Sequence, residues 1–359
     1  MRRLRSTLLL LAVLAAGTVY ASEEYRIENW AVGLDHPWSM AFLPEGGALV
    51  TERPGALRPV SVDGQVGAPL IGVPAVYHAG QGGLFDVVLH PDFERNRLVY
   101  LCFAEGTPDD NGTAIARGEY RDGVLSGVMT IFRNFTRKDT AVHYGGRMAF
   151  LPDGTLLLTT GDGLDYREAA QDVNSGLGKV LRMTGDGRPA PGNPFPESPY
   201  VYSYGHRNPQ GLVVAPGGTV WLHEHGPRGG DEINRIEAGE NYGWPAVTHG
   251  VDYSGAEVSP YGEWPGMVSP LWDWTPSIAP SGMLLYQGER FPQWRGDLLV
   301  GALVDREVRR LRLEAGAPVE EEALFDELEA RVRDVRSGPD GLIYLLLPDR
   351  IVRVVPAGY

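Results

Sequence analysis

His143-Tyr144-Gly145-Gly146-Arg147 sets an imidazole beside paired glycines and a guanidinium. Histidine is the side chain best suited to take a proton near neutral pH, and adjacent glycines let backbone approach a ligand closely. Gly205-His206-Arg207-Asn208-Pro209-Gln210-Gly211 offers a fork of donors for carboxylate-type oxygens. In Arg331-Val332-Arg333-Asp334 the two arginines alternate. On an extended segment both point the same way, which suits a multiply anionic ligand. Each segment alone has a plain alternative: a hydrogen-bonded structural histidine, a polar turn, a solvated strand.

A further polar segment runs from His223 through His225-Gly226-Pro227 to Asp231-Glu232-Ile233-Asn234, and on to Asn241-Tyr242-Gly243-Trp244-Pro245. The two histidines invite a transition-metal reading, but alternation on a strand produces the same spacing. Asp231 and Glu232 are hard oxygen donors, and Gly226 and Pro227 expose carbonyls. Calcium takes six to eight oxygens of both kinds and is the better match, although the spacing of an EF-hand is absent.

These residues need elements to hold them, and the chain reads as almost entirely β. Short apolar runs such as Ala48-Leu49-Val50 and Leu156-Leu157-Leu158 lie between turn residues. The 47 glycines and 28 prolines agree with many turns. No strong helical stripe appears; Glu320 to Glu329 has helix-like composition but is short and very acidic. A repeat of apolar residue, proline, turn and β run recurs with prolines at 44, 91, 152, 216, 292 and 339. A four-stranded propeller blade needs about 40–50 residues, so these steps fit six blades around a channel, the longer ones carrying inserted loops. The expectation is an all-β, six-bladed β-propeller of four-stranded antiparallel blades. Residues 22–359 form one catalytic domain in this reading, and Glu24 to Trp30 are placed to complete the sheet of Ile351-Val352-Arg353-Val354. Two β-sandwiches with coincidental turns are the competing architecture.

Arg2, Arg3 and Arg5 precede an apolar run from Leu8 to Gly17, and Val19-Tyr20-Ala21 supplies small residues beyond it. This is the pattern of an export signal over residues 1–21, predicting a periplasmic or secreted protein without stable membrane insertion. Cys102 is the one cysteine, so no intrachain disulfide can form. The formal net charge of −14 argues against nucleic acid as a partner.

Taken together, the segments resemble the soluble pyrroloquinoline quinone (PQQ)-dependent aldose sugar dehydrogenases of the glucose/sorbosone dehydrogenase family. The resemblance rests on Gly80-Gln81-Gly82-Gly83-Leu84 with His90-Pro91-Asp92-Phe93, His143 with Gly145-Gly146-Arg147, the Gly205–Gly211 segment, Gly226-Pro227 with Asp231-Glu232-Ile233-Asn234, Asn241 to Pro245, and Arg331 to Asp334. It implies a six-bladed propeller that oxidises an aldose with PQQ and Ca²⁺ and passes electrons to an external acceptor, as a monomer or homodimer. By position, it makes His143 the general base for the C1 hydroxyl, with Arg207 at the reacting centre. Gln81, Arg207, Asn208 and Tyr253 fall at cofactor contacts, and Arg331 and Arg333 at the pair that neutralises PQQ carboxylates. The Gly226 and Pro227 carbonyls fall at the calcium that polarises the quinone. Glu232 and the Tyr242 carbonyl fall at a second, structural calcium.

Two positions depart from the pattern. Val304 stands where relatives often place a lysine that pairs with PQQ, with Arg306 the nearest cation in sequence. Val142 precedes His143 where relatives that oxidise glucose well can carry aspartate. Two other functions fit the same architecture: a non-catalytic calcium- and sugar- or protein-binding propeller, and a lactonase. The first has no need of a base beside anion clamps, and the second needs a ring of carboxylates that the sequence lacks.

Overall fold

A computed structural model describes residues 25–358; the expected export signal lies outside the described residues. Six antiparallel sheets follow one another around a central channel. Blade I holds strands Pro37–Phe42, Ala48–Glu52 and Ala56–Val60. Blade II holds Leu84–Leu89, Leu98–Thr107, Asp110–Arg121 and Val124–Arg133. Blade III holds Met148–Phe150, Leu156–Thr160, Lys179–Met183 and Val201–Tyr204. Blade IV holds Pro209–Val214, Val220–Glu224, Asp231–Ile236 and Trp272–Trp274. Blade V holds Pro280–Leu285, Leu298–Ala302, Val308–Glu314 and Ala317–Leu324. Blade VI holds Asp334–Ser337, Ile343–Leu346 and Arg350–Pro356, and takes its fourth strand, Tyr25–Val32, from the other end of the chain.

That N-terminal strand closes the ring as the sequence suggested, with Tyr25 opposite Pro356 and Val32 opposite Arg350. Blade I differs in detail: its fourth strand is an irregular run beside Ala56–Val60. There the Gly67 N–H donates to the Pro59 carbonyl at 2.8 Å and the Leu70 N–H to the Leu57 carbonyl at 2.9 Å. Each turn of the proline repeat joins the innermost strand of a blade to the second strand. That shared position explains the common order of apolar residue, proline, turn and strand.

Second strands such as Ala48–Glu52, Leu156–Thr160, Val220–Glu224 and Leu298–Ala302 are buried along their whole length. Both of their faces are covered by neighbouring blades, so they read as continuous apolar runs rather than alternating ones. Between blades II and III, Phe85, Tyr100, Cys102, Phe132, Leu156, Leu158 and Leu181 form one packed cluster. The first half of the acidic stretch with helix-like composition, to Leu324, is the end of the outer strand of blade V, and Asp326–Leu328 form a single 3-10 turn. The strand's alternate residues Glu320 and Glu322 pair with Arg312 and Arg310 directly across the ladder, both at 2.7 Å. Cross-strand pairing uses a period of two, which a composition-based helix reading overlooks.

The six innermost strands contact one another around the axis. Third positions of three of them carry Ser39, Asp86 and Arg336, which together with Arg147 and Asp334 fill the channel. Arg336 donates to Asp334 at 2.8 Å and to Asp86 at 3.2 Å, and Arg147 pairs with Asp334 at 3.2 Å. Two guanidinium groups are thus matched to two carboxylates, which is the condition for burying charge at tolerable cost. The network ties blades I, II, III and VI together. The long step between prolines 216 and 292 is taken up by residues 237–271, inserted between the third and fourth strands of blade IV.

Candidate active site

At the ends where the innermost strands begin, the loops enclose an axial cavity of about 350 Å³. Its walls include Trp38, Gln81, Asn208, His225, Arg331 and Arg333. This volume lies within the usual range for a small organic ligand.

His143 lies on the loop entering blade III, beside the lining residues Gln81, Tyr144 and Asn208. Its φ of 50° is left-handed, a conformation that costs a non-glycine residue of order 1–3 kcal/mol and persists only where surroundings enforce it. Three contacts enforce it here. The His143 N–H donates to Gln81 Oε1 at 2.8 Å. The ring Nδ1 lies 2.7 Å from Asp162 Oδ1. Lys138, buried in blade II's shoulder with its ammonium 3.6 Å from the Tyr144 ring centre, donates to the Val142 carbonyl at 2.8 Å. Gly145 follows at φ 66°, and a side chain there would meet the Thr159 carbonyl at 2.6 Å. The paired glycines are therefore needed to pack this loop against blade III.

A carboxylate oxygen only accepts, so Nδ1 carries the proton in the His143–Asp162 bond. Nε2 is left with its lone pair. Asp162 is itself fixed, accepting from Trp244 Nε1 at 2.8 Å and from the Leu164 N–H at 2.8 Å. Burial lowers the His143 pKa below the ordinary histidine value, opposed by Asp162 and reinforced by Arg207 and Lys138. The imidazole is neutral at neutral pH and can accept a proton.

Arg207 is buried, with its guanidinium between the rings of Trp244 and Tyr253 at 5.2 and 5.7 Å. Nη1 donates to the Gly226 carbonyl at 2.6 Å, while Nε is buried without a partner. His225 is also neutral: burial pushes its pKa down to about 3, and Nε2 donates to the Pro280 carbonyl at 2.6 Å.

Arg331 and Arg333 both line the cavity, as alternation on an extended segment requires. Neither has a carboxylate within 4 Å among the described residues. Burial, together with the charges of Arg147, Arg331 and Arg53, pushes the Arg333 pKa down to about 9. A guanidinium stays protonated there at neutral pH, so the shift reflects burial and a positive potential that Asp334 offsets only in part.

Gln81, Asn208, Arg331 and Arg333 thus meet at the cavity, with His143 and Arg207 adjoining. Tyr253, 65 % exposed, joins through Arg207 and not as a wall of the cavity. Val304 is exposed, and neither it nor Arg306 lines the cavity. The His223–His225 pair forms no metal site: among the described residues no group of three His, Cys, Asp or Glu side chains could hold an ion. Asp231, which offered itself as a cation ligand, is committed to loop structure, accepting from the Gly226 N–H at 2.9 Å and the Ala279 N–H at 3.0 Å. It thereby shapes the turn that presents Gly226 and Pro227.

Glu232 differs. Burial and the nearby Glu224, Asp273 and Asp231 raise its pKa well above the usual carboxylate range, and only Asn234 among side chains donates to it, at 3.1 Å. A void of about 10 Å³, enough for one water-sized occupant, is lined by Glu232, Tyr242 and Thr248. The partners that sequence reasoning missed are Asp162, Trp244 as its donor, Lys138 and Arg53. Asp162 had a usable signal: it lies just past the apolar run of the third repeat, at the end where the functional loops gather.

Fold and cavity define a six-bladed propeller with a cation-lined axial pocket. A profile of the Glucose / Sorbosone dehydrogenase family matches residues 34–354. Aldose sugar dehydrogenase YliI of Escherichia coli is 41 % identical over 324 residues, which cover 87 % of each chain. The apo-form crystal structure of the soluble E. coli aldose sugar dehydrogenase superposes with a TM-score of 0.88 at 39 % identity, covering 92 % of this chain and 99 % of that one. The PQQ-bound form of aldose sugar dehydrogenase from Streptomyces coelicolor gives 0.79 at 32 % identity, covering 93 % and 99 %. The chain belongs to the Glucose / Sorbosone dehydrogenase family.

Proposed function

We propose that this protein is a PQQ-dependent aldose sugar dehydrogenase that oxidises the C1 hydroxyl to the lactone. The observation that carries the reading is the pairing of unmatched arginines in the axial cavity with a neutral His–Asp dyad adjoining it. PQQ is a tricarboxylate, and it fits a pocket whose arginines lack protein anions. When bound, it supplies a two-electron acceptor, which the side chains of this chain do not.

His143 Nε2 takes the hydroxyl proton as hydride leaves C1, and Asp162 stabilises the imidazolium that forms. Arg207, near the rings of Trp244 and Tyr253, offers donors where negative charge develops. Gln81 fixes the His143 backbone, and Asn208 accepts from the Gly145 N–H at 3.2 Å. Gly226 and Pro227 would present carbonyls to one Ca²⁺, the Gly226 oxygen keeping a lone pair beyond its bond to Arg207. Electrons then pass to an external acceptor. The N-terminal sequence pattern supports a periplasmic or extracellular location for this activity. Among the described residues, no helix is long and apolar enough to cross a membrane.

Purified protein given PQQ and Ca²⁺ is expected to reduce a dye acceptor with aldoses; no reduction across a broad aldose panel overturns the reading.

Glu232 and the Tyr242 carbonyl would hold a second Ca²⁺, since a cation there relieves a half-buried carboxylate that has no basic partner among the described residues. Calcium at about 100 times its Kd adds roughly 2.7 kcal/mol and raises the melting temperature by a few degrees. Glu232→Gln is expected to abolish most of that rise. An unchanged calcium response in the variant would remove Glu232 from the site.

A further inference from the structure

Five arginines surround the axis near the cavity, and they fall into two groups. Arg147 and Arg336 are matched to Asp86 and Asp334. Arg53, Arg331 and Arg333 line the cavity, and none of the three has a carboxylate within 4 Å among the described residues. Sequence pattern singled out Arg331 and Arg333 but gave no reason to single out Arg53, which follows the second strand of blade I. The structure holds it firmly. Its N–H donates to the His36 carbonyl at 3.0 Å, its carbonyl accepts from the Leu84 N–H at 2.9 Å, and Nη1 donates to the Gly80 carbonyl at 2.7 Å. Gly83, at φ 148°, makes room: a side chain there would meet the Arg53 carbonyl at 2.1 Å and Cγ at 2.8 Å.

One bond of Arg53 is thus spent on Gly80, out of five N–H donors on a guanidinium. Its charge adds to the positive potential at Arg333. Three like charges kept together without an anion oppose folding, and such an arrangement is repaid when a polyanion binds a site already organised for it.

We propose that Arg53 is a third cation for the carboxylates of the bound cofactor, filling the electrostatic place that Val304 leaves empty. This rests on the PQQ reading above. It assigns one arginine to each negative charge of a tricarboxylate, with the third cation coming from blade I and not from the loop that carries Val304 and Arg306.

The test is PQQ binding to apoprotein followed by quenching of tryptophan fluorescence, with no sugar or turnover involved. Arg53→Gln should raise the Kd roughly tenfold or more, while Arg53→Lys, which keeps the charge and loses the planar fork, should stay within about threefold of the parent. In the absence of PQQ, Arg53→Gln should melt no lower than the parent, because it removes a repelling charge. Parent-like affinity of Arg53→Gln overturns the proposal. So does an Arg53→Lys as weak as Arg53→Gln, which would make the brace to Gly80 the relevant feature. Failure of the parent protein to bind PQQ would overturn the quinone reading itself, and this assignment with it.

Discussion

His143→Ala is expected to lower kcat by roughly 10²–10⁴-fold, the usual contribution of a positioned general base, while changing PQQ affinity little. The side chain adjoins the cavity without supplying a cation to it, so its loss falls on proton transfer and not on cofactor capture. Asp162→Asn should also cut kcat, by about tenfold or more, because the amide no longer fixes the proton on Nδ1 or stabilises the imidazolium. The pH profile follows from the burial of the ring. The folded-state pKa of His143 lies below the ordinary histidine value, so activity should be flat across neutral pH and fall only as pH drops through that lowered value. The same group is deprotonated more readily in the folded than in the unfolded chain, so its contribution to stability diminishes as pH falls below the unfolded pKa. A kcat in His143→Ala within a few-fold of the parent would remove this residue as the base.

Arg333→Gln should weaken PQQ binding by on the order of 100-fold, since a charged hydrogen-bonding partner is lost from a largely enclosed position. Arg331→Gln should cost less, because Arg331 is exposed and solvent and salt screen its charge. The double variant should leave no measurable binding at micromolar PQQ. Apoprotein stability should move the other way: Arg333 sits among Arg147, Arg331 and Arg53, so removing it relieves repulsion and the melting temperature should hold or rise. Titration by fluorescence, beside thermal melts without ligand, reads both effects. Equal affinities in the parent and the double variant would contradict the assignment of these arginines to carboxylates.

The ring of blades was legible because each inner-to-second-strand turn uses proline at the same structural place, and six such turns survive inserts of different length. The irregular edge of blade I was not, because nothing in Gly67 to Leu70 distinguishes a broken strand from a loop. Arg331 and Arg333 were readable from alternation alone, since a period of two fixes a common direction. Arg53 was not: its meaning comes from Gly80 and Leu84 across a blade boundary, contacts between distant segments that no local pattern encodes. His143 could be seen as a base only in outline. What supports the proposed role is Asp162, 19 residues away, and the burial that lowers the ring's pKa. Asp231 shows the opposite case, a carboxylate whose type suggested a ligand but whose oxygens are spent on the backbone of its own loop and of Ala279.

The central claim is that the cation-lined cavity holds a quinone that a sugar reduces. It is tested most directly by titrating the purified protein with PQQ in the presence of Ca²⁺, removing the excess, and recording the absorbance spectrum before and after an aldose is added without oxygen or dye. The account predicts close to one bound quinone per chain, with its oxidised absorbance bleached by the sugar in the parent and persisting in His143→Ala. A protein that retains no quinone, or one whose bound quinone no aldose bleaches, would contradict it.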